Sequence, residues 1–243
     1  MGTCHNKGSR TYSTKGRNAT GDGLSGKQTP DLYKGLYVEG SPGEHQQKAD
    51  FVVSGVRDVL ADFGFDDELR AVYFSPTGTT RRGEADASMN GVGDLKISTK
   101  ALSRGELNSD GYFISDTFYG TGAHEGGHAL VNALLKNSVT INPDNKSKTT
   151  ARANLERAAA RRKGKLETAI IKEAKKRYGS NPPISRYGSK NNIEKIAEAV
   201  ADYYANKSNA KPYSKTIVKV MKDIKSGKYK PKISVSEREM YGR

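Results

Sequence analysis

Residues 119–135 read YGTGAHEGGHALVNALL, and within them His124 and His128 lie four positions apart. On a helix this spacing puts both imidazoles on one face, where they can reach a single metal ion without distorting the backbone. Glu125 follows the first histidine and can hold and deprotonate a water on that ion. The pattern predicts a metal centre of the HExxH type. The competing interpretation is an exposed helix that carries two polar histidines.

A catalytic zinc needs a third protein ligand and an open position. A third histidine at the HExxHxxGxxH spacing is excluded, because the positions after the motif hold Val131 and Leu134. His5 and His45 are the only other histidines, and we expect them to be solvated in a poorly ordered N-terminal segment. A carboxylate on a later helix is the remaining choice.

The segment NNIEKIAEAVADYYANK (191–207) offers such carboxylates. Glu194, Glu198 and Asp202 recur every four residues beside an apolar helical face. A solvated acidic face is the usual explanation, but it is less expected in a chain with 41 Lys and Arg against 27 Asp and Glu. From spacing alone, Glu194 fits the third-ligand role no better than a pair formed by Glu198 and Asp202.

The stretch YGSKNNIEKIAEAVADYY (187–204), taken with HEGGH (124–128), resembles the anthrax lethal factor-like zincins. These are gluzincin-type metallopeptidases, related to zincin-like domains of phage minor-head and mobile-element proteins. The family pattern Y-G-x-x-N-x-x-E-x-x-A-E is matched position by position from Tyr187 to Glu198. The match covers mainly residues 111–136 and 183–226.

The resemblance implies that His124, His128 and Glu194 bind Zn²⁺. It also implies that Glu198 orients one of the ligand imidazoles from behind, which fixes its tautomer and ring angle.

Two further roles follow from the same resemblance: Glu125 is the general base, and Tyr187 donates to the developing oxyanion. The implied fold is α+β and zincin-like, with a small mixed sheet packed against an HExxH helix and a glutamate-bearing helix. The implied function is a zinc-dependent metalloendopeptidase that acts on a protein or peptide substrate.

The chain departs from the family at Gly126, where relatives usually carry a larger apolar residue. Together with Gly127 it lowers helix stability by roughly 0.5–1 kcal/mol per glycine relative to Ala. We therefore expect a less rigid site.

Hydrophobic periodicity and turn residues divide the chain into a flexible basic N-terminal arm (1–49) and a catalytic domain (50–243) with a basic helical insertion (150–178). Asp50 is the expected N-cap of the first helix and Gly64 its stop. The expected strands are 69–75, 94–99 and 111–115, with 94–99 as an exposed edge on which a peptide docks. Further helices are expected at about 122–136, 191–206 and 214–226.

The net charge of +14 favours contact with nucleic acid or another polyanion through the basic surface. The alternative function is therefore a phage or mobile-element head protein, or a nucleic-acid-associated binding protein, that retains a zincin fold. No run of roughly 18 apolar residues or signal-peptide core is visible. We expect no membrane partner and a cytoplasmic or virion-associated location, with non-classical export left open. Substrate and oligomeric state cannot be read from the sequence.

Overall fold

The computed structural model describes residues 32–76, 87–90, 93–103, 111–137 and 149–234, with side chains of the fourth range described to residue 135 and those of the last range from residue 158. The fold is mixed α/β, mostly helical, with a small four-stranded sheet. Its strands are β1 Tyr37–Glu39, β2 Ala71–Ser75, β3 Ala87–Met89 and β4 Asp94–Ser98. Its helices are α1 Gln46–Asp62, α2 Thr99–Ser103, α3 Phe118–Asn137, α4 Thr149–Tyr178, α5 Asn192–Asn206 and α6 Pro212–Lys225. None of the helices in these ranges is long and apolar enough to cross a bilayer.

The sheet has the order β1-β2-β4-β3, with β1, β2 and β4 parallel and β3 antiparallel to β4. The alternation of apolar and polar residues along β4 identifies the face of the sheet that packs against the core. Leu95 and Ile97 are buried on this face, while Lys96 between them is exposed. The prediction that 94–99 forms an exposed edge is wrong, because β4 pairs on both sides. Among the described strands the edge beside β4 is β3, which lies between the predicted strands 69–75 and 94–99 and was not itself predicted. Its three residues are too few to show a strand period.

The first helix begins earlier than expected. Asp50 is not an N-cap but lies within α1, fully buried, and accepts hydrogen bonds from the Tyr33 hydroxyl (3.0 Å) and Gln46 Nε2 (2.8 Å). Residues 32–49 therefore belong to the folded body rather than to the arm, since β1 joins the sheet and Leu36 is buried. The rest of the predicted arm, 1–31, lies outside the described residues. Gly64 has φ +64° and ends α1 as expected.

The helix α3 is packed between α1 and α5, and its glycines set how closely. A Cβ on Gly126 would lie 2.9 Å from Val59 Cβ of α1, and a Cβ on Gly127 would lie 2.9 Å from Ala197 Cα of α5. Both distances are shorter than packed carbon atoms tolerate. The two glycines thus let α3 approach a helix on each side, a packing role that the expectation of a less rigid site did not include.

The remaining helices follow the sequence closely. In α4 the residues Leu166, Ile170 and Ala174 are fully buried and form the narrow apolar stripe expected of a basic helix. Gly179 (φ +88°) ends this helix, and two prolines follow. The helix α6 packs through Ile217, Val218 and Met221. Residues 111–115, predicted to be a strand, instead form a series of bends in front of α3.

Candidate metal centre

The histidine pair lies near the middle of α3. The ring centroids of His124 and His128 are 4.9 Å apart, and both side chains are mostly buried. One potential ligand atom from each of His124, Glu125 and His128 lies within 4.8 Å of the others, so this group could hold a metal ion.

The carboxylate of Glu194 meets the histidines from the first turn of α5. Asn191 caps this helix by accepting the Glu194 backbone N–H at 2.9 Å, which fixes where the helix starts. Glu194 Oε2 lies 3.2 Å from His124 Nε2 and 3.5 Å from His128 Nε2.

The same Glu194 oxygen is buried and has no hydrogen-bond partner with acceptable geometry. Leaving a buried acceptor unsatisfied costs about 1–3 kcal/mol, and more for a charged group. A cation among the three donor atoms, either a proton on an imidazole or a metal ion, would remove this cost. Two imidazole nitrogens and one carboxylate oxygen also form the donor set of known catalytic zinc sites. The residues present therefore fit a divalent metal.

Glu198, one turn further along α5, contacts the other side of the first imidazole. Its Oε1 lies 2.8 Å from His124 Nδ1, and its Oε2 accepts the backbone N–H of Ile114 at 2.7 Å. A carboxylate at Nδ1 favours a proton on that nitrogen, so Nε2 is the atom of His124 that would bind a metal ion.

Asp202 lies outside the cluster. It is buried, and its two oxygens accept hydrogen bonds from the Asn206 side chain (2.7 Å) and from the backbone N–H of Lys211 (2.8 Å). It stabilises the connection to α6. The alternative ligand pair of Glu198 and Asp202 therefore does not match the structure.

Glu125 faces the sheet edge. It is 8% exposed, and its Oε2 accepts the backbone N–H of Met89 in β3 at 2.7 Å. This contact links the candidate base to the strand at the sheet edge. Sequence reasoning missed Met89, because a backbone donor leaves no residue-type signal.

Tyr187 lies in a short 3₁₀ turn just before α5, and its ring centroid is 5.7 Å from that of His124. Its backbone N–H donates to the Tyr112 carbonyl at 2.9 Å, and its ring packs against Phe113. Burial, together with the charges of Glu194 and Glu125, raises the pKa of the Tyr187 phenol above its usual range. The hydroxyl therefore stays protonated at neutral pH.

The electrostatics of the cluster favour bound positive charge. Burial opposes protonation of His124, but Glu194 and Glu198 outweigh it and raise its pKa to about 10. For Glu194 burial acts to raise the pKa, yet the two imidazoles lower it well below its usual range. Without a metal ion, the carboxylates of this site hold a proton on an imidazole.

A further carboxylate comes from α4. Burial raises the pKa of Glu167, and its charge interacts with those of Lys163, His128 and Glu194. Glu167 therefore lies on the side of α4 that faces the metal centre. It was missed because it lies in a segment interpreted only as a basic helix.

Searches of the chain against protein-family models, curated proteins and solved structures find no match. Function must therefore be inferred from the site itself.

Proposed function

We propose that this chain is a zinc-dependent metalloendopeptidase with a zincin-like fold. The observation that carries the proposal is the position of Glu194, whose buried and otherwise unpartnered oxygen lies within 3.5 Å of Nε2 of both His124 and His128. The resemblance of the two motifs to lethal factor-like zincins supports the same ligand set. An ordinary surface helix with two histidines has no reason to bury a carboxylate against both.

In this proposal His124, His128 and Glu194 hold the zinc, and Glu198 keeps the His124 ring in its ligand orientation. A zinc ion bound there would polarise the scissile carbonyl and lower the pKa of its water.

Glu125 takes the proton from the attacking water and then delivers it to the departing amine, as one positioned carboxylate can do in sequence. The Met89 N–H holds Oε2, so the carboxylate keeps a fixed direction during both transfers. A fixed base avoids reorganisation in the transition state.

Tyr187 donates its phenolic proton as a hydrogen bond to the oxyanion that forms during attack. Its raised pKa suits this role, because the donor must keep its proton at working pH. Lys190 Nζ lies 4.1 Å from the centre of the Tyr187 ring and adds positive potential on this side of the histidine pair.

A peptide substrate would dock in extended form along β3. Edge strands bind peptides through backbone hydrogen bonds, and Met89 places this edge directly beside Glu125. This replaces β4 as the expected docking edge.

The test combines metal analysis with proteolysis of a broad peptide library. We expect one zinc per chain and internal cleavage, with Glu125→Gln retaining zinc while losing cleavage. One zinc per chain with no cleavage of any library member would contradict the peptidase and favour the alternative of a binding protein. No zinc at all would contradict both the ligand set and the enzyme.

A further inference from the structure

A second concave surface lies between α4 and the segment that follows α6. This basic groove is lined along α4 by Arg161, Lys165, Lys172 and Lys176 and on the opposite wall by Lys230 and Lys232. Its volume is about 1310 Å³. The walls are held together by Lys165 Nζ, which donates to the carbonyl of Ser234 at 2.7 Å, and by the buried side chain of Ile233.

Among the residues that the structure describes, the lining of the basic groove carries many more cations than carboxylates. Glu173 is the one acidic residue among its lining residues. Its Oε1 accepts a hydrogen bond from Arg177 Nε at 2.8 Å, and Arg177 also pairs with Asp223. Six cationic side chains therefore face one already paired carboxylate. A solvated basic face requires no such convergence of cations from two separate segments onto one concave surface.

The basic groove is separate from the metal centre. A helix turns by about 100° per residue, so Glu167 points roughly 150° away from the middle of the stripe formed by Arg161, Lys165, Lys172 and Lys176. Glu167 is the α4 residue whose charge acts on His128 and Glu194. The two sides of α4 thus serve different surfaces, and a ligand in the groove does not need the metal.

The spacing of the cations favours a flexible polymer with regular negative charge. From Arg161 to Lys176 the stripe spans about 22 Å of helix axis, which matches about six nucleotides of a stacked strand at 3.4 Å each. Tyr229 also lies in the lining; its ring is half-buried and has the Arg177 guanidinium 6.0 Å from its centre, so a base can stack only on the part of the ring that faces the groove. A flexible single strand can follow a concave surface more closely than a stiff duplex can. We propose that the basic groove binds single-stranded nucleic acid through its phosphates.

The test measures binding of the full chain to a labelled oligouridine of about 20 nucleotides, longer than the groove, by fluorescence anisotropy over a range of salt concentrations. The groove variant is Lys172→Gln/Lys176→Gln/Lys232→Gln, three exposed lysines. The matched control, Lys34→Gln/Lys96→Gln/Lys100→Gln, removes the same charge from exposed positions on the sheet side of the protein.

In the plot of log affinity against log salt concentration, we expect the magnitude of the slope to fall by about 2 in the groove variant. Each of the three lost phosphate contacts on a single strand contributes about 0.7 to this slope. The control should change it little, and removing zinc with a chelator should leave wild-type binding unchanged. Equal weakening by both variants would overturn the proposal, because it would mean that net charge alone drives binding. Tighter binding of duplex DNA or of polyglutamate than of the oligouridine would also overturn it.

Discussion

The candidate metal centre and the basic groove are built from residues of opposite charge placed in opposite environments. Around the metal centre Glu125, Glu194 and Glu198 are largely buried and are held by neighbouring helices and strands. The groove cations are mostly exposed and extend from one helix and one irregular segment. The net charge of +14 reflects the cations of the basic groove and does not indicate the cluster of buried carboxylates beside the histidines. The positions of buried polar groups are set by the packing of helices and strands around them, whereas the positions of exposed groups on a helix follow from the helical period.

This contrast predicts the largest effect at Glu194. We expect Glu194→Gln to weaken zinc binding by more than about 100-fold, beyond the loss typical of residues that only support a ligand, and to abolish peptide cleavage. Zinc affinity can be measured by competition with a chromogenic chelator. The control is Lys172→Gln, a substitution of an exposed lysine in the basic groove, which should leave zinc affinity unaltered. Full zinc affinity in Glu194→Gln would show that another group supplies the third ligand.

The next effect concerns Tyr187. We expect Tyr187→Phe to lower kcat by about 100- to 1,000-fold, because it removes one oxyanion donor, with zinc content and KM little changed. Steady-state kinetics on a cleaved library peptide provide the measurement. Tyr112→Phe is the matched control, since the Tyr112 ring packs against Tyr187 at a centroid distance of 5.6 Å. An unchanged kcat in Tyr187→Phe would indicate that the ring packs but the hydroxyl takes no part in catalysis, and equal losses in the two variants would show that the effect is not specific to the Tyr187 hydroxyl.

A smaller loss is expected at Glu198, which touches His124 and no other predicted ligand. Glu198→Gln should lower zinc affinity by about 10- to 100-fold, because the imidazole loses the partner that fixes its tautomer. Comparing the zinc affinities of Glu198→Gln and Glu194→Gln tests which of the two carboxylates binds the metal and which only orients His124. A larger effect at 198 than at 194 would reverse the two roles.

Two glycines differ in how tightly their surroundings are packed: Gly127 lies beside the candidate metal centre, and Gly164 lines the basic groove. A Cβ at position 127 would lie 2.9 Å from Ala197 Cα, so Gly127→Ala should push α5 away and destabilise the fold by about 1–3 kcal/mol. Gly164 of α4 has no atom within 4 Å of its would-be Cβ, so Gly164→Ala should stabilise the helix by roughly 0.5–1 kcal/mol. Urea denaturation of both variants measures whether each substitution lowers or raises the free energy of unfolding. A neutral Gly127→Ala would mean that α5 is not held by this contact.

The smallest effect is expected at a surface ion pair remote from both regions. Burial acts to raise the pKa of Asp62, but hydrogen bonds from Lys222 and Tyr204 lower it below its usual range. The stabilisation is present above the unfolded-state pKa of about 3.9 and is lost as pH falls through the lower folded-state value. Because the pair is exposed, Asp62→Asn should cost less than about 1 kcal/mol at pH 7. The stability difference between wild type and variant should shrink between pH 4 and pH 2 by about that amount. A difference that stays constant over this range would indicate that the carboxylate charge is not its source.

Local patterns predicted the helical part of the molecule well. The apolar period placed α4 and α5 within one or two residues of their observed ends, and it put His124 and His128 on one helix face. These features depend on neighbours in the chain, which the sequence displays directly. The strand β3 and the bends at 111–115 were missed, because short or irregular segments are set by the elements they pack against.

The choice among the acidic residues of α5 shows the limit of pattern reading. Glu194, Glu198 and Asp202 have the same spacing, and only the resemblance to a known family separated them before the structure. In the fold they have three different surroundings: the two imidazole Nε2 atoms, one imidazole Nδ1, and the backbone of Lys211. No periodicity could distinguish them, because the difference comes from where α3 crosses α5.

The sequence by itself determined the histidine pair with its adjacent glutamate, the long basic helix and the excess of positive charge, since each depends on residue type and spacing along one segment. Only the tertiary structure decided which carboxylate meets the imidazoles, that β3 rather than β4 lies beside Glu125, and that lysines from two segments line one groove. Each of these depends on how segments distant in the chain pack together. Where α3 crosses α1 and α5, the absence of a Cβ at Gly126 and Gly127 permits the close approach of the helices.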